Sequence, residues 1–288
     1  MDIFGLITFN ILTGMATLAL ITIGLSVIYG MMRIINLAHG EFMMLGAYTA
    51  ATASEAGINI WIALLILPPI VVGLVGLVLE RCVIRFLYGR MIDTMLATWG
   101  ISLGLIGLIT SIFGNVIHAV PTPVGGFSIG GYGASGYSIV LMVASVSALG
   151  ALFLLMRRTS FGLVLRATMQ NPRMAASLGI HPPTVFMSTF ALGAGLAGFA
   201  GGLLSPISGV SPSMGAAYVA KAFITVLGGG PAVVMGTGLA SALFGLVNEV
   251  ISFLSTPVIG EVALLVAAIV LIRNLPQGIT GRYFRSSL

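Results

Sequence analysis

Nine apolar stretches, at 4–30, 35–54, 57–80, 94–114, 136–156, 184–208, 217–229, 231–254 and 258–274, leave this chain little choice of fold. Most approach the ~20 residues that a helix needs to cross a bilayer. Inside lipid, only helices and closed barrels satisfy every backbone N–H and C=O. Of the 288 residues 58% are hydrophobic and only 7% are charged, too little polar surface for a water-soluble domain. The reading is all-α: a polytopic helical membrane protein with eight or nine transmembrane helices, some of them short or broken near the centre. The 39 glycines suit helices packed backbone to backbone. The first apolar run follows Asp2 with no basic residues before it, so it reads as a retained span and not a cleaved signal peptide.

Charge sets the expected orientation. Arginines cluster in three places: Arg81, Arg85 and Arg90; Arg157, Arg158, Arg166 and Arg173; and Arg273, Arg282 and Arg285. Arginine-rich loops stay on the cytoplasmic side. The segment 114–136, uncharged between its ends and rich in glycine and proline, reads as external. Placing all three clusters inside requires 217–229 to cross as a short span. Nine crossings then put the N-terminus outside and the C-terminus in the cytoplasm; eight result if 35–54 is re-entrant. The net charge of +5 therefore reports topology and not nucleic-acid binding. A single cysteine, Cys82, excludes an intrachain disulfide and a multi-cysteine metal site.

One domain is expected: a first half at 1–156, a cytoplasmic loop at 157–183 and a second half at 184–288. In the loop, Phe161, Leu163, Val164, Leu165, Ala167 and Met169 mark a short helix with Pro172 near its end. A second apolar run, 174–178, closes at Gly179, a natural C-cap. Such a basic, partly apolar arm reads either as a handle for a soluble partner or as a loop folded over lipid headgroups. Two of the spans are weak: 35–54 carries His39 and Glu41, and 217–229 is short and carries Lys221. The stretches INLAHGEFMMLGAY and VSPSMGAAYVAKAF can be paired, about five crossings apart, which implies halves of inverted topology meeting at a midplane path.

His39, Glu41, Lys221 and Glu249 are ionisable groups within apolar runs, where such residues usually face a bundle interior or a water-filled path. Asn36 lies one turn from Gly40, and Asn248 is next to Glu249. Asn36 and His39 read as the polar lining of a broken helix or as caps on its backbone. Lys221 reads as a path residue, a snorkelling side chain, or half of an ion pair with Glu249 or Glu41. Gly100-Ile-Ser-Leu-Gly104 matches G-x-S-x-G but has neither the preceding strand nor a nearby His–Asp pair, so no catalytic residue is assigned. Ala194, Gly198 and Gly202 fall at helical spacing, as a packing seam would. The chain's only lysine is not in a phosphate-binding loop, so any ATP belongs to another subunit. No metal-ligand spacing occurs.

At INLAHGEFMMLGAY, LATWGISL, the middle loop and KAFITVLGGG, the sequence resembles the membrane permease subunits of ABC importers for branched-chain amino acids, urea and short amides. RFLYGRMIDTMLATWGISL and ATMQNPRMAASLGI look most like the urea-type permease. Branched-chain amino acid permeases usually differ at the position of Trp99 and have an acidic residue where Asn171 stands. Pro172 and His181-Pro182-Pro183 are less typical of either group. The resemblance implies a second, related permease chain, two cytoplasmic ATPase subunits that hold ATP and magnesium, and a periplasmic or extracellular solute-binding protein, assembled in the bacterial inner membrane. It makes the middle loop the coupling helix, with Arg166, Gln170, Asn171, Arg173 and Gly179 as docking residues.

The expected function is inward transport of a small polar solute by alternating access, urea or a short amide being favoured and a branched-chain amino acid the alternative. A stand-alone urea or amide channel is the third reading. A neutral solute would need a few hydrogen-bonding side chains, Asn36, His39, Thr98 and Asn248, with Trp99 beside Thr98. A zwitterion would want separated opposite charges, for which Glu41 or Glu249 and Lys221 are the candidates.

Overall fold

The computed structural model of the chain describes residues 2–129 and 131–281. In chain order it runs α1 (Asp2–Met32), α2 (His39–Glu55), α3 (Ile60–Leu65), α4 (Leu67–Cys82), a 3-10 turn (Ile84–Leu87) and α5 (Met91–Phe113). A hairpin follows, β1 (Gly126–Ile129) and β2 (Tyr132–Ser135), and then α6 (Tyr137–Arg158), α7 (Ser160–Gln170), α8 (Pro172–Ser177), α9 (Pro182–Ser208), α10 (Met214–Gly229), α11 (Val233–Leu254) and α12 (Pro257–Asn274). Among the described residues, seven helical runs are long and apolar enough to cross a membrane: α1, α3 with α4, α5, α6, α9, α11 and α12. Two shorter helices join them. At 1.5 Å per residue, α2 with 17 residues spans ~26 Å and α10 with 16 spans ~24 Å. This is a multi-pass helical membrane protein.

The apolar stretches read from the sequence are all helices, with two departures. The third, 57–80, starts at Ile60 and is divided at Ile66, because Pro68 and Pro69 lack the N–H groups that would continue the ladder into the first turn of α4. The second, 35–54, does not turn helical until His39. The uncharged 114–136 segment contains an antiparallel hairpin, Gly126 opposite Ser135 and Ile129 opposite Tyr132. Arg282 and Arg285 of the tail cluster lie outside the described residues.

The chain divides into two compact units, each drawn from separated parts of the sequence: Ile23–Pro121 with Ala151–Ala220, and Met1–Thr22 with Thr122–Gly150 and Lys221–Leu288. In the first, the larger, α9 packs against α2 on one side and α4 on another. Hydrophobic burial drives little association between helices in lipid, so close van der Waals packing of small residues must do it. The α9 glycines allow this. A Cβ on Gly201 would overlap the Met43 carbonyl, and one on Gly46 would overlap the Gly198 carbonyl. Facing α4, the carbonyls of Leu64, Pro68 and Pro69 would stand 2.9, 2.7 and 2.9 Å from a Cβ added to Gly202, Gly198 and Gly195. Ala194 meets Gly76 on the same face. The small-residue stripe is thus the packing seam expected of it, and Phe42 closes edge-to-face on Phe190 at 5.9 Å beside it. In the second unit α11 pairs with α12, and Leu18, Ala240, Phe244, Leu264 and Ala268 form a buried cluster.

Because Gly201 leaves no room for a methyl group, Gly201→Ala should cost about 1–3 kcal/mol through forced backbone shifts. The thermal midpoint of the detergent-solubilised chain should fall accordingly. Gly150→Ala, where a Cβ meets nothing within 4 Å, should leave it unchanged or slightly raised.

Candidate functional site

The most unusual stretch of backbone joins α1 to α2. Arg33 leaves α1 with φ 54°, a left-handed conformation that L-residues other than Asn and Asp seldom adopt. Residues 34–37 carry no helical ladder, so their polar groups need other partners inside the membrane. Asn36 supplies some: its Oδ1 accepts the Ala38 N–H at 3.1 Å, and its carbonyl accepts the His39 N–H at 3.3 Å. Thr98, on α5, supplies another, its hydroxyl oxygen accepting the Leu37 N–H at 3.1 Å. One turn further along α5, the Ser102 hydroxyl faces the Glu41 carboxyl group. At 1.5 Å rise per residue, Thr98 and Ser102 lie ~10 and ~16 Å along α5 from its arginine-flanked end.

These side chains form a buried polar row. Asn36 and His39 are 0% exposed, Thr98 1%, Glu41 4% and Ser102 7%. Asn36 Nδ2 and Glu41 Oε2 have no hydrogen-bond partner among the described residues. An unpaired buried polar group costs roughly 1–3 kcal/mol, so two in one turn call for an explanation. Asn36 thus caps the broken backbone with its oxygen, while its amide nitrogen has no partner among the described residues. Trp99 points elsewhere. It is about 100° further round the helix than Thr98, and it is 56% exposed.

A second break has the same form. The Met214 N–H donates to the Ser211 carbonyl at 3.2 Å, and α10 begins at Met214, just as α2 begins at His39 after Asn36. Gly40 and Gly215 occupy the same place in the two paired stretches, and they touch: a Cβ on either would overlap the other's backbone.

Lys221, Asn248 and Glu249 sit in the other unit. Lys221 pairs with Glu261 on α12, Nζ to Oε1 2.5 Å, and its charge also reaches the Glu249 carboxylate. Glu261 is the first acidic residue of α12, five positions beyond its Thr256 cap, and it was passed over as part of an apolar span. Asn248 Nδ2 donates to Glu249 Oε1 at 3.1 Å, and the Glu249 side chain lies against Gly14.

The loop between α6 and α9 is a compact arm. Thr159 caps α7, its hydroxyl accepting the Gly162 N–H at 3.1 Å, and Gly162 sits flush on the Leu155 and Met156 carbonyls. The Arg166 guanidinium donates to the Met156 carbonyl. Asn171 caps α8 by accepting the Met174 N–H at 3.0 Å, with Pro172 at its first position. Gly179, with φ +85°, ends the turn in a conformation few other residues tolerate. Of the five docking candidates, Arg166, Asn171 and Gly179 thus shape the arm, while Gln170 and Arg173 are exposed. Sequence reasoning missed the exposed Leu163, Met174 and Leu178, 62%, 59% and 75% exposed. Their signal was there: Gly162, Leu165 and Thr168 take the inner face of α7, which turns Leu163 outward.

Two further clusters escaped the sequence. The His118 ring nitrogen meets Glu55 at 3.2 Å, its backbone bridges to Val210, and its ring packs on Tyr48 and Phe113. Near the arm, the Tyr88 hydroxyl donates to the buried Glu80 and its ring packs on Phe186 of α9. Burial, with Glu80 beside it, pushes the Tyr88 phenol well above its ordinary range, so it remains a donor. Both clusters join residues far apart in the chain.

G-x-S-x-G lies wholly inside α5, without the strand-to-helix turn that exposes a nucleophile. The family described as "Branched-chain amino acid transport system / permease component" matches residues 7–275. The high-affinity branched-chain amino acid transport system permease protein LivH of Salmonella typhimurium is 30% identical, over 95% of this chain and 94% of that protein. BraD of Pseudomonas aeruginosa, a permease protein of the same description, is 29% identical over the same shares. The probable branched-chain amino acid transport permease LivH of Methanocaldococcus jannaschii is 27% identical over 92% of this chain and 88% of that protein. No solved structure matches. With nine transmembrane-length or near-length helical runs, a polar row beside a broken helix and near full-length likeness to transport permeases, the chain belongs to the family of branched-chain amino acid transport system permease components.

Proposed function

We propose that this chain is the membrane-spanning subunit of an ATP-driven importer that carries branched-chain amino acids inward by alternating access. The observation that carries the reading is the family match over residues 7–275. The urea or short-amide preference drawn from the sequence is set aside in its favour. Two features behind that preference have structural work instead, Tyr88 holding Glu80 and Asn171 capping α8, and a third, Trp99, is exposed on α5. None of them belongs to the polar row.

In this reading the importer also contains a second permease chain, two cytoplasmic ATPases that bind ATP and magnesium, and an external solute-binding protein. It works in the bacterial inner membrane, with the N-terminus outside and the C-terminus in the cytoplasm. The arm is the part the ATPases push. Gly162 and Arg166 fasten α7 to the end of α6, and the chain leaves the arm directly into α9. Since α9 touches α2 and α4 backbone to backbone, it cannot shift without moving them. The polar row of Asn36, His39, Glu41 and Thr98 is then the part of the path that such movement opens. Lys221, Asn248 and Glu249 are a second candidate stretch.

The functional test is uptake by the complete importer in proteoliposomes: labelled leucine should enter in an ATP-dependent way, and excess urea should not compete. Orientation has its own check. In a Cys82→Ser background, Ser177→Cys should react with a membrane-impermeant maleimide only from the cytoplasmic face, and Tyr132→Cys only from outside. For docking, Met174→Asp or Leu178→Asp places a charge where an apolar contact is expected. Either should weaken co-purification of the ATPase subunits at least about tenfold, a loss of ~1.4 kcal/mol or more, with the permease itself still folded.

A further inference from the structure

The importer reading leaves the two unpartnered groups of the polar row without a role. They differ in kind. The Asn36 Oδ1 is engaged by the Ala38 N–H, so the unpaired Nδ2 is a hydrogen-bond donor. The unpaired Glu41 Oε2 is an acceptor, and a negative one when ionised. The α5 hydroxyls put these groups in order. Thr98 stands at the level of Leu37, next to Asn36, and Ser102 stands one turn on at Glu41. The row thus has a donor end and an acceptor end within about one helical turn.

Nothing of opposite charge on the surrounding helices answers Glu41. No residue of α9 is charged, nor is any residue of α5 beyond Asp93, of α3, of α1 from Ile23 to Met32, or of α10 before Lys221. Of the charged residues of α4, Glu80 is held by the Tyr88 hydroxyl and Arg81 is exposed, and Asp93 is tied to Arg90 at 2.5 Å. His39 shares the turn and is fully buried, with its own contact. The remaining walls are glycine backbone: Gly24 of α1 beside His39, and Gly40 against Gly215.

We propose that Glu41, supported by Ser102, receives the ammonium group of the solute, and that the Asn36 amide donates to the carboxylate of the same solute. The site would therefore select an α-amino acid zwitterion, whose ammonium and carboxylate are fixed on one carbon, over a neutral amide. Asn36, Glu41 and Ser102 are all buried. The proposal rests on the importer reading and adds the residues that recognise the charged ends of the cargo.

The test uses the complete importer in proteoliposomes, with its solute-binding protein outside and ATP at the ATPase face. Glu41→Gln removes the charge and keeps the size. Leucine uptake should fall at least about tenfold, as expected for a lost charge-assisted hydrogen bond, in an importer that still assembles with all its subunits. Glu41→Asp, which keeps a carboxylate, should restore part of the uptake, and Ser102→Ala should lose about two- to fivefold. Asn36→Asp keeps the acceptor for Ala38 but opposes the carboxylate, and should also lose about tenfold; it carries the test should Glu41→Gln fail to assemble. Leucine uptake within twofold of wild type in Glu41→Gln or Asn36→Asp overturns the assignment. So does equal loss in Glu41→Asp and Glu41→Gln, which would mark a packing role. A wild-type importer that takes up no branched-chain amino acid overturns the importer reading and this proposal together, whereas an active wild type with active variants overturns this proposal alone.

Discussion

Backbone-to-backbone contact along α9 is the constraint on which the larger unit rests. Lipid tails are as apolar as leucine, so burying apolar side chains between helices gains little there. What remains is dispersion at short range, and it grows only when the side chains at the contact are small. Gly198, Gly201 and Gly202 let α2 and α4 come within van der Waals distance of the α9 backbone. The Leu64 carbonyl, which the missing Pro68 N–H leaves without its helical donor, lies against this same surface. One run of glycines thereby accommodates the break in α4 and holds α2, whose first turn carries the polar row.

The row itself follows from a second constraint. Breaking a helix inside a membrane strands backbone N–H and C=O groups, and these must be satisfied locally. Asn36 and Thr98 do that work for residues 36–38, which explains why side chains of this type sit in an apolar region. It does not explain the unpartnered amide nitrogen of Asn36 or the second oxygen of Glu41. A structural role alone could have used a serine or threonine in place of either. The same break, without charged residues, recurs before α10 and meets the first at Gly40 and Gly215. Two interrupted helices crossing at glycines leave a junction with no side chains to resist a small relative shift.

The arm has the complementary character. Its caps, Thr159 and Asn171, and its glycines, Gly162 and Gly179, make a short helical pair with a defined end. Leu163, Met174 and Leu178 lie exposed on it, which costs stability in an isolated arm and becomes favourable only when covered. Only residues 178–181 separate this short helical pair from α9, the helix that carries the glycine seam.

How much of this could be read from the residue order alone varies with the range of the interaction. The spans, the arm with its Gly179 cap, and the small-residue seam were legible because each depends on spacing within one helix or loop: apolar length, cap chemistry, a repeat of about four residues. Asn36, His39 and Glu41 stood out because a polar residue in lipid is costly wherever it points. Partners were not legible. Lys221 meets Glu261 forty residues away, Thr98 reaches Leu37 across 61, and His118 reaches Glu55 across 63. Ser102, dismissed as part of a motif in the wrong context, turned out to face Glu41, while Trp99 beside it turned away. Periodicity and transfer cost act along one segment, so the linear chain reveals them. Which donor meets which acceptor depends on how helices distant in sequence are rotated and packed, and that is set only when the fold closes.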